Sequence, residues 1–197
     1  GIVGYIYDKE VNIKVAKTHI TDVYTLNNIE ASGSYVGGLV GSLVTYSGGD
    51  TKISKSYASG SINAEGTYIG GAIGQSSYAN VSNVYSTCEV SGKDYVSSFV
   101  GASGYALYRN VYAIGEVKST GQIVGSIIAY SAEDIFENAY YSSETTNLTS
   151  SRAGINVAFS RLLKEITYNN YDFVNICTIE EDDTTAYLQG KPNPQTD

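Results

Sequence analysis

Glu89 and Glu116 stand 27 residues apart, at the same place in two matching segments, "NVYSTCEV" at 83–90 and "NVYAIGEV" at 110–117. Two carboxylates brought side by side can share a proton or hold a cation. A carboxylate pair is also the working part of most sugar-cleaving enzymes. That chemistry needs a cleft and further partners, and no Asp, Lys or Arg recurs at matching positions beside the pair. The two glutamates therefore read as solvated surface residues, and no catalytic residue is assigned.

The other candidates carry less. "EEDD" at 180–183 lacks the alternating ligands and central glycine of a calcium loop, and reads as a charged turn. His19 is the single histidine, which leaves no second imidazole for a metal site, and no serine has a histidine-and-carboxylate signature around it. Cys88 and Cys177 have neither zinc spacing nor the numbers of a disulfide framework. Both read as reduced, buried small hydrophobes. No metal and no cofactor is expected.

The elements that position Glu89 and Glu116 are repeats. "YVGGLVG" at 35–41 returns as "YIGGAIG" at 68–74, "YVSSFVG" at 95–101 and, more worn, "IVGSIIA" at 123–129. "GIVG" at 1–4 reads as the tail of an earlier copy, so Gly1 is expected to be a cut within a longer array. A second element alternates with the first and carries Tyr24, Tyr57, Tyr85, Tyr112 and Tyr140, spaced 33, 28, 27 and 28 apart. The unit is about 28 residues, with two strand-like runs separated by Gly, Ser, Asn and Asp.

At a period of two, one face of the second element reads Val84, Ser86, Cys88, Val90, then Val111, Ala113, Gly115, Val117. It is small and apolar, and suits an interior. The opposite face carries the tyrosines and glutamates. A unit this short cannot bury its own inner face, whereas stacking copies in register buries it continuously. The expected fold is all-β, a parallel β-solenoid of about 28-residue coils with a short C-terminal α-helical cap and a few terminal strands. Propeller blades need more residues than these units have, and a sandwich leaves the repeat unexplained.

The motif glycines are expected where opposite walls come close or where a corner needs positive φ. No "GxxxxGK[ST]" phosphate loop is present. In register, Tyr57, Tyr85, Tyr112 and Tyr140 form one outward, exposed ladder, which is the candidate binding surface. Residues 156–166, "NVAFSRLLKEI", carry a helical stripe of Phe159, Leu162, Leu163 and Ile166, with Asn156 as its cap. The expected organisation is repeats over 1–147, a helix-plus-strand cap over 148–190, and a linker-like tail, "GKPNPQTD", of which 191–197 is the free end.

"YVGGLVG", spaced from "NVY..G.V", resembles the GLUG repeat over about residues 1–145. "AYYSSET" at 139–145, "YDFVNICTI" at 171–179 and "AYL" at 186–188 are similar to the segment that often follows such repeats. Tyr171 and Cys177 stand where that segment tends to have tryptophan, and Ala186 stands for its proline. The resemblance implies a secreted or surface-attached bacterial protein of the adhesin type. It equally fits a non-catalytic region of an immunoglobulin A-cleaving metallopeptidase.

The net charge of −8 and the lack of any Lys/Arg cluster argue against nucleic acid. No apolar run is long enough to span a bilayer. The expected function is a non-catalytic extracellular repeat module acting as stalk or adhesive surface. Its partners would be a host glycan or extracellular protein and the neighbouring repeats of a longer polypeptide. The competing reading is a polysaccharide-cleaving β-helix, which would cluster charged residues at one height.

Overall fold

The computed structural model describes residues 1–7 and 17–195. The chain is mostly β; its three larger sheets are parallel, and Cys177–Thr178 and Tyr187–Leu188 form one antiparallel pair. Each repeat visits three sheets in turn. A short strand enters a four-stranded sheet built from Val36–Gly37, Thr67–Gly70, Asp94–Ser97 and Val124–Gly125. The next strand enters a five-stranded sheet of Val3–Tyr7, Val40–Val44, Ile73–Ser77, Val100–Gly104 and Ile128–Ala132. The chain then crosses a nine-stranded sheet, through strands such as Asp50–Ala64, Asn80–Ser86, Leu107–Ala113 and Ile135–Tyr141.

Register follows the repeat. Val3, Val40, Ile73, Val100 and Ile128 are successive partners in one sheet. Tyr24, Tyr57, Tyr85, Tyr112 and Tyr140 are successive partners in another. "GIVG" thus occupies the register of a motif copy. The same-face reading holds as well: Val84, Ser86, Cys88 and Val90 are all buried, and with their equivalents they line one core between the sheets. Each large apolar side chain buried there is worth about 1.5–3 kcal/mol.

The motif glycines serve close approach. A Cβ on Gly38 would stand 2.5 Å from the Ala58 Cβ of the opposite wall and 2.3 Å from the Gly71 carbonyl oxygen. No motif glycine has positive φ. The corners are turned instead by Tyr35, Tyr68 and Tyr95, at φ of 61°, 63° and 54°.

A ladder of main-chain bonds climbs the stack, with the Val3, Val40, Ile73 and Val100 amides donating to Leu39, Ala72, Phe99 and Ile127 carbonyls. At the last repeat, Ser151 Oγ takes the place of the next carbonyl and accepts from Ile127 and Ile128 at 3.1 and 3.3 Å. Arg152 Nε donates to the Ala129 carbonyl at 2.8 Å. Residues 143–156 thereby occupy strand-edge groups that would otherwise invite another chain.

The expected helix over 156–166 is much shorter. Asn156 lies in a strand that pairs with Ile135–Tyr141, and its side chain bonds Ser143 rather than capping a helix. One α-turn remains, Phe159–Leu162, followed by a 3-10 turn, Glu165–Thr167. Of the stripe, Leu162 is buried while Ile166 is 82% exposed. Tyr168 and Thr167 hydroxyls donate to the Leu162 and Arg161 carbonyls, groups that a longer helix would have used. Tertiary partners outcompete the helical ladder here.

The segment from Val157 onward does not sit on the end of the stack. It runs back along the outer face of the nine-stranded sheet. The stretch 191–195 is docked rather than free: Pro192 O accepts from Tyr57 and Gln195 Oε1 from the Thr185 amide. Residues 196–197 lie outside the described residues.

Candidate functional site

Glu89 and Glu116 do come to matching positions on neighbouring repeats, since Val90 pairs with Val117 and the Val90 amide donates to the Glu116 carbonyl. Lys118, two residues on and so on the same face, bonds Glu116 at 2.5 Å, and Asn147 Nδ2 bonds its other oxygen. Lys118 holds the Glu116 carboxyl below the ordinary carboxylate range. Both carboxyls line a shallow depression with Ser61, Asn63 and Ser91. A carboxylate that is already paired and kept ionised is poorly suited to deliver a proton.

The remaining candidates are surface pairs. Glu181 and Asp182 face Lys164, and Glu180 accepts from the Tyr187 hydroxyl. His19 faces Asp50 at 3.3 Å. Cys88 and Cys177 are free thiols, both buried, and burial pushes each thiol up to about 12.

The expected tyrosine row forms, with its rings stacked. Tyr57 and Tyr85 have centroids 4.8 Å apart and planes 6° from parallel, and Tyr85 and Tyr112 repeat this at 4.9 Å and 4°. The expected exposure is absent. Tyr57 and Tyr112 are 0% and 1% exposed, and Tyr85 and Tyr140 are as buried. The returning C-terminal segment covers the row with Leu162, Tyr168, Cys177, Ala186 and Leu188, making a second core outside the sheet. Three of the covered hydroxyls are bonded to it: Tyr57 donates to Pro192 O at 2.8 Å, Tyr112 donates to Ala186 O, and Tyr140 accepts from the Asn169 amide. Burial drives the Tyr112 phenol well above its usual range. Tyr57, Tyr85, Tyr112 and Tyr140 are therefore core residues.

Two other tyrosine rows are open. Tyr35, Tyr68 and Tyr95 stack at 4.9 and 4.6 Å. Tyr78 and Tyr105 stack at 5.0 Å. The first row lies in or just before strands of the four-stranded sheet and the second just after strands of the five-stranded sheet, so the two flank the latter. All five residues have positive φ. Between the rows runs a groove of about 480 Å³, lined by Tyr68, Tyr95, Tyr78, Tyr105, Tyr130 and a floor that includes Gln75 and Ala102. That volume is within the usual range for a ligand site.

The floor has its own order. Tyr5, Ser42, Gln75, Ala102 and Tyr130 are consecutive partners across the sheet. Small or polar residues in the middle are thus bracketed by exposed tyrosines. Tyr130 sets its ring 78° from that of Tyr95, and Arg152 lies 5.6 Å from its centre. Sequence reasoning passed over these rows, although the signal was present. Tyr35, Tyr68 and Tyr95 open the three best copies of the glycine motif, and Tyr78 and Tyr105 are 27 apart.

The chain matches no family model, no curated protein and no solved structure with which it was compared.

Proposed function

We propose that this chain is a parallel β-solenoid module of a secreted or surface-attached bacterial protein, and that it acts without catalysis as a stalk carrying an adhesive flank. The single observation behind this reading is the register. Equivalent residues of successive repeats pair strand to strand from Val3 to Ile128, in parallel, so every position of the repeat becomes a straight row. Rows of that kind suit a rigid scaffold whose flank offers the same side chain again and again. The likeness to GLUG repeats adds the surface location and the adhesin-like role.

An antibody raised against the chain tests the location and role. It should label intact, unpermeabilised cells or the culture supernatant of the source bacterium, and labelling only after lysis would defeat the proposal. The architecture has its own check. Inserting a second copy of residues 94–120 should give a folded protein longer by about one strand spacing, ~4.8 Å. An unfolded product would argue for a closed fold.

A further inference from the structure

No charged side chain lines the groove between the two open tyrosine rows. The protein carries a net charge of −8, and a neutral ligand in this strip does not have to face it directly. We propose that the groove binds an extended, neutral polysaccharide chain whose axis runs along the tyrosine rows. This rests on the surface-module reading given above.

Four features point to that ligand. The first is period. Phenol groups recur at the strand spacing, three along one wall (Tyr35, Tyr68, Tyr95) and two along the other (Tyr78, Tyr105), so the site presents the same contact repeatedly and suits a polymer of one repeating unit. The second is chemistry. The tyrosines offer phenol rings and hydroxyls, and the floor offers the Gln75 amide. Aromatic surface beside hydrogen-bonding groups suits a pyranose, which carries both C–H faces and equatorial hydroxyls. The third is rigidity. The rings are held by their neighbours, so little side-chain freedom is lost on binding.

The fourth feature is backbone strain. At a neighbouring corner the same positive φ is carried by Lys55 and then by Asn83, Asn110 and Asn138, whose amides bond along the stack. Asparagine is at ease in that conformation and bulky side chains are not. The groove corners carry tyrosine all the same. Ring stacking returns about 0.5–1.5 kcal/mol per pair, which does no more than offset the strain of about 1–3 kcal/mol per residue. A binding role for these tyrosines would account for strain kept without a net gain in stability. A protein strand is the weaker candidate, because peptide ligands of sheets pair with a strand edge, and this groove lies on a sheet face.

The test is calorimetric titration of the full chain with four neutral hexasaccharides: cellohexaose, xylohexaose, mannohexaose and maltohexaose. At least one should bind. Tyr95→Ala and Tyr105→Ala should each weaken it at least tenfold, while Glu116→Gln leaves it unchanged. Should an alanine variant unfold, Gln75→Arg keeps both rows and places a bulky cation on the floor, and should cause the same loss. Binding that survives Gln75→Arg, heparin hexasaccharide bound more tightly than all four, or no binding of any of the four would each overturn the inference. A chain found on intact cells that ignores all four sugars would refute this site alone and leave the surface-module reading standing.

Discussion

The Tyr112 hydroxyl donates to the Ala186 carbonyl at 2.5 Å and lies 3.0 Å from Thr185 Oγ1, across more than 70 residues of chain. This contact joins the repeats to the segment that runs back over them. It turns a row of tyrosines that faces outward from the sheet into the floor of a second core.

Neighbouring rings in that row should respond differently to loss of the hydroxyl. Tyr112→Phe strands a buried carbonyl and should cost about 1–3 kcal/mol in urea unfolding. The Tyr85 hydroxyl is buried without a hydrogen-bond partner of normal geometry, so Tyr85→Phe should be neutral or stabilising. Equal losses at both positions would show that the hydroxyls do not fasten the C-terminal segment.

The glycines should divide in the same way. A Cβ on Gly71 would meet Ser98 O at 2.0 Å and Ser86 Oγ at 2.2 Å, whereas one on Gly33 meets nothing within 4 Å. Gly71→Ala should lose about 1–3 kcal/mol or more through overpacking. Gly33→Ala should stay within about 0.5 kcal/mol of the parent. Melting temperatures of the two variants decide the matter, and a tolerated Gly71→Ala would mean the walls can move apart.

Alkaline pH should unfold the protein. Burial raises the phenols of Tyr85, Tyr108, Tyr112 and Tyr168 above the ordinary value of 10.0. The folded state then keeps protons that the unfolded state releases. Stability is fully present below pH 10 and falls as pH climbs above it. Tyrosinate absorbance should appear in two steps, exposed residues first and buried ones together with the loss of circular dichroism. A single smooth titration with the fold intact would contradict the burial.

Cys88 and Cys177 should be silent to a thiol reagent in the native protein and should both react in denaturant. Each is buried, and each thiol is pushed up to about 12, which leaves almost no thiolate near neutral pH. Fast labelling of Cys177 alone would mean that the C-terminal segment lifts from the sheet.

The repeat, its parallel register and its inner face were legible in the residues, because each depends on local spacing. Tyr57, Tyr85 and Tyr112 recur at the unit length, Val84 and Val90 alternate at period two, and stacked copies can satisfy both only in register. What covers the outer face was not legible. Leu162, Ala186 and Leu188 reach the tyrosine row from the far end of the chain, and no spacing rule links them to it. The short helix failed for the same reason, since partners such as Tyr140 and Tyr141 lie outside the local pattern that Phe159 and Ile166 seemed to announce. Which tyrosine rows stay open was therefore decided by tertiary structure. Periodicity marks a face as outward from its sheet, and only the path of the remaining chain decides whether water reaches it.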